Sequence, residues 1–396
     1  MRVLHIIDSL NMGGAETWLV EMVKYAQSHE TGLPGFDFLA AGGKEAVFDK
    51  VVKDAGCKIH YLALRKGNIM NFISGLRQIL TENNYAAIHD HQDYLSGWHF
   101  LFGAGCLPAV RVVHFHNPFY QQQFNYGVTT ARRLQLKMGR YLLGKYATNI
   151  YGTSGKILGE YSITPTYFPR QVIGPLNCAF RINNFAGDHG SHKKQMLEEL
   201  GWPVDTKLVL FAGRFDISTE IGHPNNHKNS AFALEVIKAS KDSSIRMIMA
   251  GANNFIKTEF QQLIDRNNVS DRVNMLGVRK DMAHLMLASD VLLFPSRAEG
   301  MGMVAVEAQA AGLPVLASDV VPDEITVLDE LVKFRGLQDP FQLWADNLQE
   351  MIERRLPGDT VGDQRWHRSG FNIDVCCRRL ASLYLKPNQR EQVLAT

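Results

Sequence analysis

The chain has 396 residues, 45% of them hydrophobic and 21% charged, a globular composition that excludes disordered, collagen-like and disulfide-scaffold classes and, at roughly 150 residues per domain, suggests two domains. Forty-two lysines and arginines face 40 aspartates and glutamates, so no basic excess exists to neutralise a nucleic-acid backbone and no nucleic-acid partner is expected. No apolar run nears the ~20 residues of a membrane span, Met1 to Asn11 carries no secretory core, and the five cysteines lack metal or disulfide spacing, so a folded cytoplasmic protein with reduced thiols is expected.

The N-terminus reads strand (Val3 to Ile7), Gly-rich loop (Asp8 to Gly14), then a helix through Trp18, Leu19, Met22, Val23 and Ala26. Further strands are expected at Ala87 to His91, Val110 to His116, Leu208 to Ala212, Arg246 to Ala250, Val291 to Phe294 and Val315 to Ala317. They are apolar on successive residues, the pattern of parallel strands covered by helices on both faces. The alternation predicts an α/β protein with parallel sheets. Pro165 to Asp188, dense in Pro and Gly, reads as a linker. Domains are therefore expected at 1–180 and 181–370, with an amphipathic helix at 371–390 closing the chain.

Charge is uneven along this path. From Tyr94 to Gly187 nine basic residues face one acid, Glu160, for a net +8. Within it, a helix over 131–146 places Arg133, Lys137 and Arg140 on one face beside Leu134, Met138 and Leu142, which suits an anionic membrane surface as well as a plain solvated face.

The chemistry concentrates at strand ends. After the strand at Val291 to Phe294, residues Gly300, Met301, Gly302 and Met303 present unpaired N–H groups at the start of a helix stopped by Gly312 and Pro314. That is an anion site suited to phosphate or diphosphate. Glu299 lies in the loop and Glu307 two turns into the helix. Carboxylates beside a phosphate are better suited to hydroxyls, so the pair implies a sugar nucleotide. Arg214 leaves a strand end, where open α/β sheets bind ligands, and with Lys228 it could meet a diphosphate. Gly13 and Gly14 form a second backbone nest, without the GxGxxG of a dinucleotide cofactor. His89 and His91 end one strand, His114 and His116 the next; two such pairs favour a polar cleft over a four-histidine zinc site, which would lack supporting acids other than Asp90 and Asp93.

Taken together, Gly13-Gly14-Ala15-Glu16, the histidines within Ile88 to Gly97 and Arg111 to Pro118, Gly213-Arg214 with Lys228-Asn229, Pro295-Ser296, and the Glu299 and Glu307 pair resemble family 4 glycosyltransferases of the GT-B fold, particularly bacterial exopolysaccharide and capsule enzymes. The resemblance implies two Rossmann-like domains facing a cleft, acceptor on the first and nucleotide-diphosphate sugar, UDP-linked, on the second. It implies hexosyl transfer with retention, to a membrane-associated glycan or lipid-linked acceptor in cell-surface polysaccharide synthesis. It also implies no cofactor and no divalent metal; the basic segment, not the resemblance, is the ground for expecting a peripheral position on the inner face of the cell membrane. By the same carry-over Glu307 binds ribose hydroxyls, Arg214 and Lys228 the diphosphate, and Glu299 the donor sugar; Gly14 and Gly300 to Met303 complete the donor site. His116 faces the reacting sugar, with Gly13, His91 and His114 lining the cleft. Two departures stand out: the Arg214 to Lys228 spacing is stretched by Asp216 to Asn226, and Ile173 to Phe180 lacks the common Asn-Gly. A sugar-nucleotide epimerase and a two-domain sugar-binding protein are the alternatives.

Overall fold

The computed structural model describes residues 1–65, 67–119, 129–215, 218–223, 226–251 and 257–385. The chain divides into two compact units, Met1–Phe180 with the chain from Gly370 onward, and Arg181–Ser369.

In the first unit seven parallel strands, β1 (Arg2–Ile7), β2 (Gly35–Ala40), β3 (Ile59–Tyr61), β4 (Ala87–Asp90), β5 (Val110–Phe115), β6 (Asn149–Gly152) and β7 (Val172–Pro175), form a sheet in the order β3-β2-β1-β4-β5-β6-β7. In the second, β8 (Lys207–Ala212), β9 (Ile245–Ala250), β10 (Val273–Gly277), β11 (Val291–Phe294), β12 (Val315–Ser318) and β13 (Val332–Arg335) form a parallel sheet in the order β10-β9-β8-β11-β12-β13. Both are Rossmann-like. In each the strand order reverses once, at β1/β4 and at β8/β11, and in open α/β sheets ligands gather outside the carboxyl ends of the strands at that switch.

The successive apolar residues that suggested covered strands are buried as expected: every residue of β11 and β12, and all of β8 after Lys207, is inside. One core cluster joins β8, β9 and β11 to Trp344, Leu348 and Met351 of the helix Phe341–Ile352. The other joins Leu4, Ile6, Ile88, Val113 and Phe115 to Phe72, Leu76 and Leu143. At about 25 cal/mol per Å² of apolar area, such burial is the main stabilising term.

The expected linker is in part a strand. β7 lies within Pro165 to Asp188 and pairs with β6 through Asn149↔Val172 to Gly152↔Pro175. Its Pro and Gly content hid it, and the reason is that β7 is an edge strand, where a missing N–H at Pro175 costs no ladder bond. The closing helix spans Ile373–Leu385, and residues 386–390 of the expected span lie outside the described residues. It packs on the helix Gly14–Ser28, with Cys377 Sγ 3.7 Å from Met22 Sδ.

Candidate functional site

Residues at the β8/β11 switch converge in the second unit. β8 ends at Ala212, and the chain turns through Gly213 to Arg214, whose side chain is exposed. The following helix, Ser230–Ala239, is preceded by Asn229 in the left-handed conformation at φ 60°. Asn229 Nδ2 donates to Pro295 O at 3.2 Å, and Arg297 N donates to His227 O at 2.7 Å. Arg297 Nη1 also donates to His223 O at 2.9 Å. These bonds tie the loop after β8 to the loop after β11, and as a result Lys228 Nζ lies 2.5 Å from Glu299 Oε1. The stretched spacing therefore does not carry Lys228 away from the strand ends; part of the intervening segment, 216–217 and 224–225, lies outside the described residues.

Gly302 caps the helix Met303–Ala310 at φ 96°, and a Cβ there would meet the Phe294 ring at 3.0 Å. Only glycine meets both demands without strain. Met301 turns its side chain into the core. The helix ends as expected, with Gly312 at φ 66°, Gly312 N donating to Gln309 O and Leu313 N to Ala308 O. Because the helix begins at Met303, Glu307 sits in its second turn rather than two full turns in. Glu307 is half-buried, and burial pushes its carboxyl up to about 7. Among the described residues no group hydrogen-bonds to it.

In the first unit the histidines of β1, β4 and β5 share one face. His5 pairs in register with His89, and alternate residues on a strand point the same way, so His5, His89, His91, His114 and His116 collect under Trp18 of the first helix. His5 Nδ1 lies 3.0 Å from His91 Nε2, and His91 Nδ1 lies 2.8 Å from His116 Nε2. His89 Nδ1 meets Tyr384 Oη of the closing helix at 2.5 Å, and His114 Nε2 donates to Leu176 O at 2.9 Å. The expected polar cleft does not form around His89, His91 and His114. His89, His91 and His114 are buried beneath the Gly14–Ser28 and closing helices, because the strands carry them onto a covered face; His116 alone of the set is half-buried. Burial pushes His5 and His116 down to about 3 and holds His89, His91 and His114 well below 6.5.

Two triads, His5 with His89 and His91, and His91 with His114 and His116, have ligating atoms within 4.8 Å of one another. Neither includes a carboxylate. Zinc held at about 2.0 Å by imidazoles in tetrahedral geometry separates the nitrogens by about 3.3 Å, whereas the 2.8 and 3.0 Å separations are hydrogen-bond lengths. The rings fit a hydrogen-bonded chain better than a metal.

At the expected nest, Gly13 has an extended φ of −155°, and a Cβ there would fall 2.2 Å from a Glu16 carboxylate oxygen. The nearest space at Gly13 is thus filled by an acid, which disfavours an anion, while Gly14 faces open space.

The helix of the basic segment spans Thr130–Tyr146. Beyond Thr130 and Ala131 of its first turn, its exposed side chains are Arg133, Leu134, Lys137, Met138, Tyr141 and Lys145. Two expected members turn elsewhere: Leu142 is in the core, and Arg140 donates to Ser162 O at 2.9 Å and covers the Tyr167 ring. Among the described residues no helix is long and apolar enough to cross a membrane.

Sequence reasoning missed His5, Tyr384 and the Asn229 and Arg297 ties. His5 stood inside an apolar run, and its position opposite His89 would have been visible only once β1 was paired with β4.

Residues 206–350 match the family model described as glycosyl transferases group 1. The chain is 27% identical to EpsF of Bacillus subtilis, a glycosyltransferase by name, covering 97% of this chain and 96% of EpsF. It is 23% identical to the capsular polysaccharide biosynthesis glycosyltransferase CapH of Staphylococcus aureus, covering 97% and 99%. Among solved structures, Anabaena Alr3699/HepE in complex with UDP is similar at a TM-score of 0.71 and 17% identity, covering 98% and 96%.

Proposed function

We propose that this chain, a glycosyltransferase of the GT-B fold, transfers a sugar from a UDP-linked donor, with retention, to a membrane-associated glycan or lipid-linked acceptor in cell-surface polysaccharide synthesis. The observation that carries the reading is the Lys228 and Glu299 contact beside the glycine-capped helix that holds Glu307, whose carboxyl has no hydrogen-bond partner among the described residues. An ammonium, the N-terminal end of a helix and two carboxylates at one strand switch supply what a diphosphate flanked by hydroxyl-rich sugars requires. The names of EpsF and CapH and the UDP held by HepE support the substrate class.

In this reading Glu307 accepts hydrogen bonds from the ribose hydroxyls, and Glu299 from the donor sugar. Arg214, Lys228 and the backbone of Gly300 to Met303 receive the diphosphate. Positive charge set where the leaving group becomes more negative lowers the barrier without a divalent ion. His116 acts at the reacting sugar. The exposed stripe of Arg133, Leu134, Lys137, Met138, Tyr141 and Lys145 meets anionic lipid and keeps the enzyme near its acceptor.

The test is calorimetry with UDP and a panel of UDP-sugars, followed by NMR of the anomeric proton in the product. Donor binding and a product with the anomeric configuration of the donor are expected. Absence of binding to any nucleotide sugar overturns the reading, and inversion overturns its stereochemistry. Conversion of the free nucleotide sugar without acceptor would make the chain an epimerase.

A further inference from the structure

Three imidazoles of the buried cluster form an unbroken series from the interior to the half-buried His116. His5 Nδ1 faces His91 Nε2 at 3.0 Å, and His91 Nδ1 faces His116 Nε2 at 2.8 Å. A neutral imidazole has one N–H and one lone pair, and each ring-to-ring bond consumes one of each. Two such bonds in series leave only two proton arrangements for all three rings. Either every ring carries its proton on Nδ1, pointing the donors outward from His5 to His116, or every ring carries it on Nε2, pointing them inward.

The inner end decides between them. Among the described residues His5 Nε2 is buried without a hydrogen-bond partner, and its ring lies against Phe36 and Phe38. An orphaned buried N–H is the rarer defect in native proteins, an under-used acceptor the more tolerated one. The bare nitrogen therefore belongs on His5 Nε2, its proton on Nδ1, and the same assignment passes along the chain. Burial keeps the rings uncharged at neutral pH, since His5 and His116 are held down to about 3 and His91 well below 6.5. His89 and His114 do not interrupt the series, because their bonded nitrogens are engaged by Tyr384 and Leu176.

We propose that His5 and His91 are positioning residues that hold His116 in its Nδ1–H tautomer, so that His116 offers a fixed, neutral hydrogen-bond donor rather than an imidazolium. The contact opposite His116 Nδ1 is Cys178 Sγ at 3.9 Å, a weak acceptor, so the N–H at that nitrogen is not committed to a strong partner among the described residues. The proposal rests on the reading that His116 serves the reacting sugar. Its physical content is orientation: a ring fixed at Nε2 by a buried partner cannot flip or change tautomer without breaking the chain, and small losses of alignment at a reacting centre lower the rate steeply.

The experiment combines ring-nitrogen NMR of histidine-labelled protein with steady-state kinetics for wild type, His91→Phe, His91→Asn and His5→Phe. In wild type the three rings should show the Nδ1–H signature at pH 7.5. In His91→Phe the His116 signals should move to averaged tautomer values, kcat should fall at least tenfold, and the dissociation constant for UDP should stay within twofold. In His91→Asn the amide N–H stands near the lost Nδ1–H, and most of kcat should return. If His91→Phe fails to fold, His5→Phe and the wild-type spectrum still decide. An Nε2–H or mixed tautomer at His116 in wild type overturns the proposal, as does a stoichiometric transition metal on these rings in purified protein, or full kcat in His91→Phe. Full activity in His116→Ala would instead remove the role given to His116 and leave the tautomer result standing on its own.

Discussion

Lys228 and Glu299 lie 71 residues apart in sequence and 2.5 Å apart in space. Each is mostly shielded from water, with side-chain exposures of 23% and 10%, and each occupies the other before any ligand arrives. A diphosphate must therefore share or take the ammonium, which releases the carboxylate toward hydroxyl donors. Lys228→Ala should weaken UDP binding ten- to a hundredfold, the ~1.5–3 kcal/mol of a hydrogen bond to a charged group. Glu299→Gln should leave UDP affinity equal or higher, because a negative charge competing with the diphosphate is removed, while turnover of a UDP-sugar collapses. Calorimetry on both variants checks this; a parallel loss of UDP affinity in Glu299→Gln would contradict the assignment.

Glu307 sets stability against binding. Its carboxyl is raised to about 7 by burial, so between the ordinary glutamate value of about 4.3 and about 7 the native state holds a proton that the unfolded chain has lost. Stability from this group thus falls as pH rises through that window and stays low above it. Glu307→Gln should raise the melting temperature at pH 8, leave it unchanged at pH 4, and weaken UDP binding at both. A variant no more stable at pH 8 than wild type would mean the carboxylate is already well solvated.

The capping glycine is the most conformationally constrained point of the same site. Gly302→Ala forces an L side chain to φ 96° and brings its Cβ to 3.0 Å from Phe294. The left-handed conformation alone costs about 1–2 kcal/mol, and the clash tilts the first N–H groups of the helix. Both a lower melting temperature and weaker UDP binding are expected. Unchanged UDP affinity would detach the helix start from the phosphate.

The buried histidines make the first unit sensitive to acid. All five have lowered native values, with His5 and His116 at about 3, whereas unfolded histidine titrates near 6.5. The unfolded state binds more protons in that window, so their contribution is complete above pH 6.5 and is lost as pH falls toward 3. Five protons at ~1.4 kcal/mol per pH unit each set an upper limit of about 7 kcal/mol per unit, enough to unfold a typical domain by about pH 5. Denaturant melts at pH 7, 6 and 5 should show this slope, reduced by one proton in His5→Phe. A flat stability profile from pH 7 to 5 would show that the rings charge in the folded protein.

The exposed stripe of the helix Thr130–Tyr146 gives a membrane prediction. Arg133→Glu, Lys137→Glu and Lys145→Glu together should abolish binding to anionic vesicles, since each basic residue near such a surface contributes about 1 kcal/mol. Wild-type binding should weaken with added salt as the Debye length shortens. Activity on a soluble acceptor analogue should be untouched. Vesicle binding that survives the triple change at low salt would place the lipid contact elsewhere.

Local features were legible in the sequence because they are set within a few residues. Short all-apolar runs became covered strands, Gly312 stopped its helix, and the alternation of runs predicted two parallel sheets. β7 was masked by Pro and Gly because an edge strand tolerates residues that an inner strand cannot, and the exposed helix face differed from expectation because packing turned Arg140 and Leu142 away. The histidines show the division most clearly. Their types and strand-end spacing lay in the sequence, but whether they met solvent or each other depended on β1 pairing with β4 and on a helix from the far end of the chain bringing Tyr384 over His89. Likewise Lys228 and Glu299 were each visible as charged residues near strand ends, and only the β8/β11 adjacency brought them into contact. Periodicity reports what a segment buries; it carries no information about which distant segment covers it, because that is decided by strand order and long-range packing.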